Sequence, residues 1–323
     1  MKSRLLWIPI LIAFTARGLK AQDKIDSSSH TVQFVTVEKD VKLEVLDWGG
    51  TGRPLVFLTG FGNDAHVYDK FAPKFSANYH VYGITRRGFG ASSKPSPTST
   101  NYAADRLGDD VLAVIDYLKL DHPVLVGHSI AGEELSSIGS RYPNRVAALI
   151  YLDAAGPFAY YDPHNGDTIL DMLDVRNRID AMESGQVKDL KRSTQEMLAS
   201  VSELEKDLQK NMQQLAAMPS VPPVPPFVMA VSFGERRYTE IHVPVLAIFA
   251  CPHNIGAAFK DDPAAKETAI ATDLATCSAQ ADAVAAGIPS AHVVRLANAD
   301  HYVFNSNEAD VIREMNAFLE KLR

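Results

Sequence analysis

The chain has 323 residues, 46% of them apolar and 22% charged, enough for one large domain and too apolar for a disordered chain. Its formal net charge of -7 argues against nucleic acid as a partner. Lys2 and Arg4, an apolar run from Leu5 to Phe14 and a more polar stretch ending at Ala21 form the pattern of a secretory signal peptide over residues 1–21. The run is short for a bilayer span, which needs about 20 residues. The expectation is therefore export, periplasmic or extracellular, with no stable membrane span after cleavage. Cleavage removes Lys2, Arg4, Arg17 and Lys20 and no acid, taking the charge from -7 to -11. An oxidising compartment would permit Cys251 and Cys277 to pair; two buried thiols are the alternative, and spacing alone does not choose between them.

After a polar tether, Val32 to Val37 and Lys42 to Trp48 alternate as the two strands of an opening hairpin. From Pro54 onward short apolar runs take over: Leu55 to Leu58, His80 to Ile84, Val124 to Val126, Val146 to Leu152, Val243 to Phe249 and His292 to Leu296. Near-continuous hydrophobicity suits parallel strands buried on both faces. Ala103, Leu107, Val111, Val114, Ile115 and Leu118 recur at helical spacing, as do Ile312, Met315, Phe318 and Leu319. The alternation predicts an α/β fold with a mostly parallel central sheet and helices on both faces. Residues 157–235 break that rhythm. Helical patterns run over Ile169 to Met182 and along Leu190, Met197, Val201, Leu204, Leu208 and Met212, with Ser193 and Glu196 as a candidate capping box. A proline-rich return, Pro219 to Pro226, follows. The expected organisation is a core of residues 22–156 and 236–323 with a helical lid over 157–235; a helical hairpin that only thickens the core is the alternative.

The segment Val124-Leu125-Val126-Gly127-His128-Ser129-Ile130-Ala131-Gly132 reads as a buried strand turning sharply into a helix, with Ser129 at the bend. Such a turn needs small neighbours, and Gly127, Ala131 and Gly132 supply them. A serine hydroxyl is a poor nucleophile at neutral pH, so a base must take its proton and a third group must orient that base. Among ten histidines His301 is the candidate base, because it follows the last strand and so lies at the sheet end where the elbow emerges. The oxyanion hole is assigned to the Ile130 N–H and to the Phe61 N–H of the glycine-rich loop Thr59-Gly60-Phe61-Gly62.

With these segments in place the chain resembles the α/β-hydrolase superfamily, over most of residues 32–156 and 240–323. The motifs are Thr59-Gly60-Phe61-Gly62, Arg86-Arg87-Gly88-Phe89-Gly90-Ala91-Ser92, Gly127-His128-Ser129-Ile130-Ala131-Gly132 and Ala299-Asp300-His301-Tyr302. Within it, the lidded branch of bacterial serine esterases looks most similar. The resemblance implies nucleophile and base roles for Ser129 and His301. In most relatives the acid follows the strand before the histidine, but here Ala247 to Asn254 carries no carboxylate until Asp261. The preceding strand ends Tyr151-Leu152-Asp153-Ala154, and some branches, including ones that resemble the haloalkane dehalogenases, place the acid there. Asp153 is the candidate. Glu133 and Glu134 are expected to pair with Arg86 or Arg87, or to favour the helix start through its dipole. The expected activity is hydrolysis of a small-molecule ester through an acyl-enzyme, with no metal or organic cofactor; lactone, amide or carbon–carbon bond hydrolysis, or ligand binding without turnover, are the alternatives.

Overall fold

The computed structural model describes residues 29–162, 166–216, 224–236, 238–256 and 262–322. The expected signal peptide, most of the proline-rich return and Asp261 lie outside the described residues. Eight strands form one sheet: β1 (Thr31–Glu38), β2 (Val41–Gly49), β3 (Pro54–Leu58), β4 (His80–Ile84), β5 (Val124–His128), β6 (Ala148–Leu152), β7 (Val245–Ala250) and β8 (Ala291–Leu296). Their order is β1-β2-β4-β3-β5-β6-β7-β8, antiparallel through the opening hairpin and parallel from β4 to β8.

Alternate side chains of each inner strand feed two separate cores, as a pleated strand buried on both faces requires. Leu125, Leu149 and Tyr151 face one core with helices α1 (Ala104–Leu118) and α2 (Gly132–Arg141), through Val111, Ile115, Leu135 and Ile138. Val124, Val126 and Ile150 face the other, packed by the 3-10 turns Ala65–Tyr68 and Ala72–Phe75 and by the C-terminal helix Glu308–Glu320. Arg87, wholly buried, donates to both Asp110 oxygens at 2.6 Å and to Glu38 at 3.0 Å, so the motif after β4 ties the hairpin to α1.

Between β6 and β7 come α3 (Gly156–Ala159), α4 (Thr168–Glu183), α5 (Leu190–Ala216) and α6 (Pro226–Ser232). The expected capping box does not form, because Ser193 lies inside α5. Asp189 caps that helix, its side chain accepting from the Arg192 N–H at 3.0 Å, while Glu196 pairs with Arg192 and Arg178. The apolar stripe of α5 is largely open: Leu190, Val201, Leu208 and Met212 are exposed, because α4 is its main neighbour. A further helix, α7 (Pro263–Gly287), joins β7 to β8 and was not expected from its alanine-rich, weakly periodic sequence. After β8 the chain ends in α8 (Val303–Ser306) and α9 (Glu308–Glu320). Cys251 and Cys277 are disulfide-bonded, which settles the open question and joins the end of β7 to α7. Among the described residues no helix is long and apolar enough to cross a membrane.

Candidate active site

Strand registers bring the functional loops to one sheet edge. Leu58 of β3 lies beside Gly127 of β5, His128 beside Leu152 of β6, Leu152 beside Ile248 of β7, and Ala250 beside Leu296 of β8. The residues that follow, Phe61, Ser129, Asp153, His253 and His301, therefore emerge together, at the carboxyl ends where open α/β sheets place their sites.

Ser129 has φ of 56°, left-handed backbone that a side-chain-bearing residue adopts only when its surroundings impose it. Those surroundings are visible at three glycines. A Cβ on Gly127 would come within 2.9 Å of Leu135, one on Gly132 within 2.1 Å of the Ala154 carbonyl, and one on Gly60 within 3.1 Å of Ser129 Cβ. The small residues that the turn demands are thus also what lets the β6 and β3 loops pass close to the elbow.

Asp153 and His301 meet directly: His301 Nδ1–H donates to Asp153 Oδ2 at 2.6 Å. Asp153 is also at positive φ, 47°, and its Oδ1 accepts the Ala250 N–H at 2.9 Å. Burial opposes its charge, but hydrogen bonds from His253 and His301 hold its carboxyl well below the usual carboxylate range. His128 supports the same loop. Its Nε2–H donates to the His301 carbonyl at 3.0 Å and its ring lies 4.6 Å from the His301 ring, centroid to centroid. Burial, then the neighbouring His301, push the His128 pKa down to about 3, so the ring is neutral and its one proton sits on Nε2. Nδ1 is then a bare, buried acceptor with no protein partner among the described residues, facing Gly60.

Phe61 packs against Phe89 at 5.4 Å and Phe227 of α6 at 5.6 Å, and Phe227 against Tyr102 at 4.8 Å. Phe61, Phe227 and Tyr102 form an apolar cluster beside the elbow with Ile130, Phe158 and Val231. Asn63 Nδ2–H donates to Tyr302 Oη at 3.0 Å, linking the Phe61 loop to the His301 loop. Glu134 pairs with Arg86 as expected, with Oε2 at 2.7 Å from Nη2. Glu133 does not pair with either arginine: its Oε2 accepts the Arg236 N–H at 3.0 Å, and burial followed by the nearby Glu235 raises its pKa. Asn254 turns to Asp300, 2.9 Å away.

His253, just after β7, was not among the expected site residues. Its Nε2–H donates to Asp153 Oδ2 at 2.9 Å, and its Nδ1–H to Asp273 Oδ1 at 3.0 Å. Asp273 lies on the unexpected α7, so only the position of His253 after β7 hinted at a role. Two groups of described residues hold three metal-ligand-type atoms within 4.8 Å of one another: Asp153, His253 and His301; and His30, His66 and Asp69. In the first, the atoms are engaged with each other by hydrogen bonds that a metal would have to displace. In the second, Asp69 Oδ2 faces His66 Nδ1 at 2.9 Å, and its Oδ1 accepts the Trp48 indole N–H at 3.1 Å.

This strand order and loop arrangement define an α/β hydrolase, and the chain belongs to that family: the family model described as "alpha/beta hydrolase fold" matches residues 53–232. Among curated relatives, a bifunctional esterase/perhydrolase of Acinetobacter calcoaceticus is 31% identical over 137 residues, 42% of this chain and 49% of that protein. A 2-(acetamidomethylene)succinate hydrolase of Mesorhizobium japonicum is 27% identical over 127 residues, 39% of this chain and 42% of that protein. The chain thus spans less than half the length of these relatives. A thermophilic esterase from Thermogutta terrifontis shares the fold, with a TM-score of 0.56 at 19% identity over 91% of this chain and 99% of that one.

Proposed function

We propose that the protein is an exported serine hydrolase that cleaves carboxylic esters through an acyl-enzyme. The observation that carries this reading is the 2.6 Å hydrogen bond between His301 Nδ1–H and the buried Asp153, formed at the sheet edge where the strained Ser129 turn emerges. With Nδ1 holding its proton toward Asp153, His301 Nε2 takes the Ser129 Oγ proton in this scheme. Ser129 Oγ then bonds to the ester carbonyl carbon, and His301 returns the proton to the departing alcohol. Water attacks the acyl-enzyme by the same route, giving the acid and free Ser129. Phe61 and Ile130 N–H groups are the oxyanion donors in this scheme, and the negative charge on Asp153 favours the His301 imidazolium.

The Phe61, Phe158, Phe227 and Ile130 cluster favours an apolar acyl or alcohol group, with α4 to α6 serving as a lid over residues 157–235. The name of the Acinetobacter relative, an esterase/perhydrolase, is consistent with ester chemistry. A serine nucleophile disfavours the carboxylate-dependent dehalogenase and epoxide hydrolase reactions. The test is a panel of p-nitrophenyl esters, lactones and amides given to the purified protein and to Ser129→Ala. Ester turnover lost in the variant, with an unchanged circular dichroism spectrum, is the expected result. No turnover of any ester by the wild type would overturn it.

A further inference from the structure

Both ring nitrogens of His253 face carboxylate oxygens, Nε2 toward Asp153 Oδ2 at 2.9 Å and Nδ1 toward Asp273 Oδ1 at 3.0 Å. A carboxylate only accepts, so each nitrogen must carry a proton and the ring is an imidazolium. Asp273 Oδ2 also accepts the His253 backbone N–H at 2.6 Å. Asp153 Oδ2 is the same atom that meets His301 Nδ1. We propose that His253 and Asp273 are positioning residues for the reaction, a charged pair that fixes Asp153 toward His301 and sets the net charge His301 meets when it takes up the serine proton. The proposal rests on the triad reading given above.

Asp153, His253 and Asp273 together carry one net negative charge, so the complete cluster becomes neutral when His301 is protonated. Without Asp273 the positive His253 would cancel Asp153, leaving little to favour the His301 imidazolium. Without His253 two carboxylates would favour it too strongly, and Asp153 would lose the second donor that orients Oδ2. Burial opposes charge on His253, yet Asp153 and then Asp273 carry its pKa up to about 10. Among the described residues the titratable groups around it are Asp153 after β6, Asp273 on α7 and His301 after β8, with Asp300 reached through the Asn254 side chain. The Cys251–Cys277 bond pins this arrangement, since Cys277 stands one helical turn beyond Asp273 and Cys251 two residues before His253.

The test is the pH profile of kcat/KM, whose acid limb reports the essential base of the free enzyme. The variants are His253→Gln, Asp273→Asn and the two combined, with Asp153→Asn alongside. The His253 and His301 rings are 6.4 Å apart, and a unit charge at such a distance moves a pKa by roughly one unit or more. Asp273→Asn should shift the acid limb down, and His253→Gln should shift it about one pH unit up. The double variant, with its net charge restored, should return close to wild type. A purely structural pair would lower stability without these opposite shifts. Unchanged limbs in all three variants, with Asp153→Asn inactive, would overturn the proposal and leave the triad standing. An active Asp153→Asn would overturn the triad instead. If His253→Gln does not fold, nitrogen-resolved NMR of the wild type at pH 8 decides: protons on both His253 ring nitrogens support the pair, and a single proton refutes it.

Discussion

Asp153→Asn is the substitution whose consequences the geometry determines most fully. Three N–H donors converge on this carboxylate, Ala250 N–H on Oδ1 and the His301 and His253 rings on Oδ2. Asparagine offers one oxygen and one NH2 in the same space. If its oxygen stays toward the histidines, the NH2 opposes the Ala250 N–H; if it turns, the NH2 faces His301 and demands an unprotonated Nδ1. The second arrangement moves the proton to Nε2, the nitrogen that must accept from Ser129. A wrong tautomer in a serine triad costs about 10⁴ in turnover, or about 5 kcal/mol of transition-state stabilisation. One opposed buried donor costs the fold about 1–3 kcal/mol, within the 5–15 kcal/mol typical of a domain. The variant should therefore fold. Saturation kinetics with p-nitrophenyl acetate should show kcat falling about 10⁴-fold with KM little changed, while Asn254→Ala and Asp261→Asn keep most activity. A variant that retains a tenth of wild-type kcat, or the reverse ranking, would refute the reasoning.

Gly132→Ala puts a methyl 2.1 Å from the Ala154 carbonyl, a backbone atom that cannot move without shifting Asp153. It should lower stability by about 1–3 kcal/mol in chemical denaturation and reduce kcat as well. Stability should also depend on alkaline pH. The pKa of His253 is near 10 in the folded protein against about 6.5 unfolded, so its contribution is complete below about 6.5 and is lost as pH rises toward 10. Denaturation midpoints at pH 6, 8 and 10 should fall in that order, and less steeply in Asp273→Asn. Phe227→Ala opens space between Phe61, Phe89 and Tyr102, so the ratio of kcat/KM for longer acyl esters over acetate should rise about tenfold. An unchanged ratio would remove α6 from the substrate site.

Most of the sheet was legible because its inner strands are buried on both faces and read as short apolar runs, from Leu55–Leu58 through Val124–Val126 to Val243–Phe249, whereas His292–Leu296 is the edge strand β8, with His292 and Arg295 exposed. The placement of Ser129 at a strand-to-helix turn between small residues, and of His301 on a loop after the last strand, was legible from local context. Asp153 could be named only because the later strand end lacked a carboxylate. The 2.6 Å contact that joins it to His301 depends on how β6 and β8 are placed across the sheet, which no spacing encodes. The same limit hid His253 and Asp273, whose partners lie 100 and 20 residues away in sequence. Helix α7 was missed because alanine repeats carry little periodicity, and Ser193 misled because a capping pattern can occur inside a longer helix that Asp189 already starts. The stripe on α5 was correctly read as helical. Its exposure could not be read, since periodicity shows that a face is apolar and not what covers it.

The claim on which the rest depends is that Ser129 is the nucleophile of an acyl-transfer reaction. A fluorophosphonate reacts with an activated serine hydroxyl by displacement of fluoride and stays covalently bound, so peptide mass spectrometry of the treated protein identifies the attacking atom's residue. The expected result is stoichiometric labelling of Ser129 in the wild type, parallel loss of ester turnover, and no labelling in Ser129→Ala or, within the same reaction time, in His301→Ala. Labelling of a different serine, or full inactivation with Ser129 unmodified, would contradict the assignment.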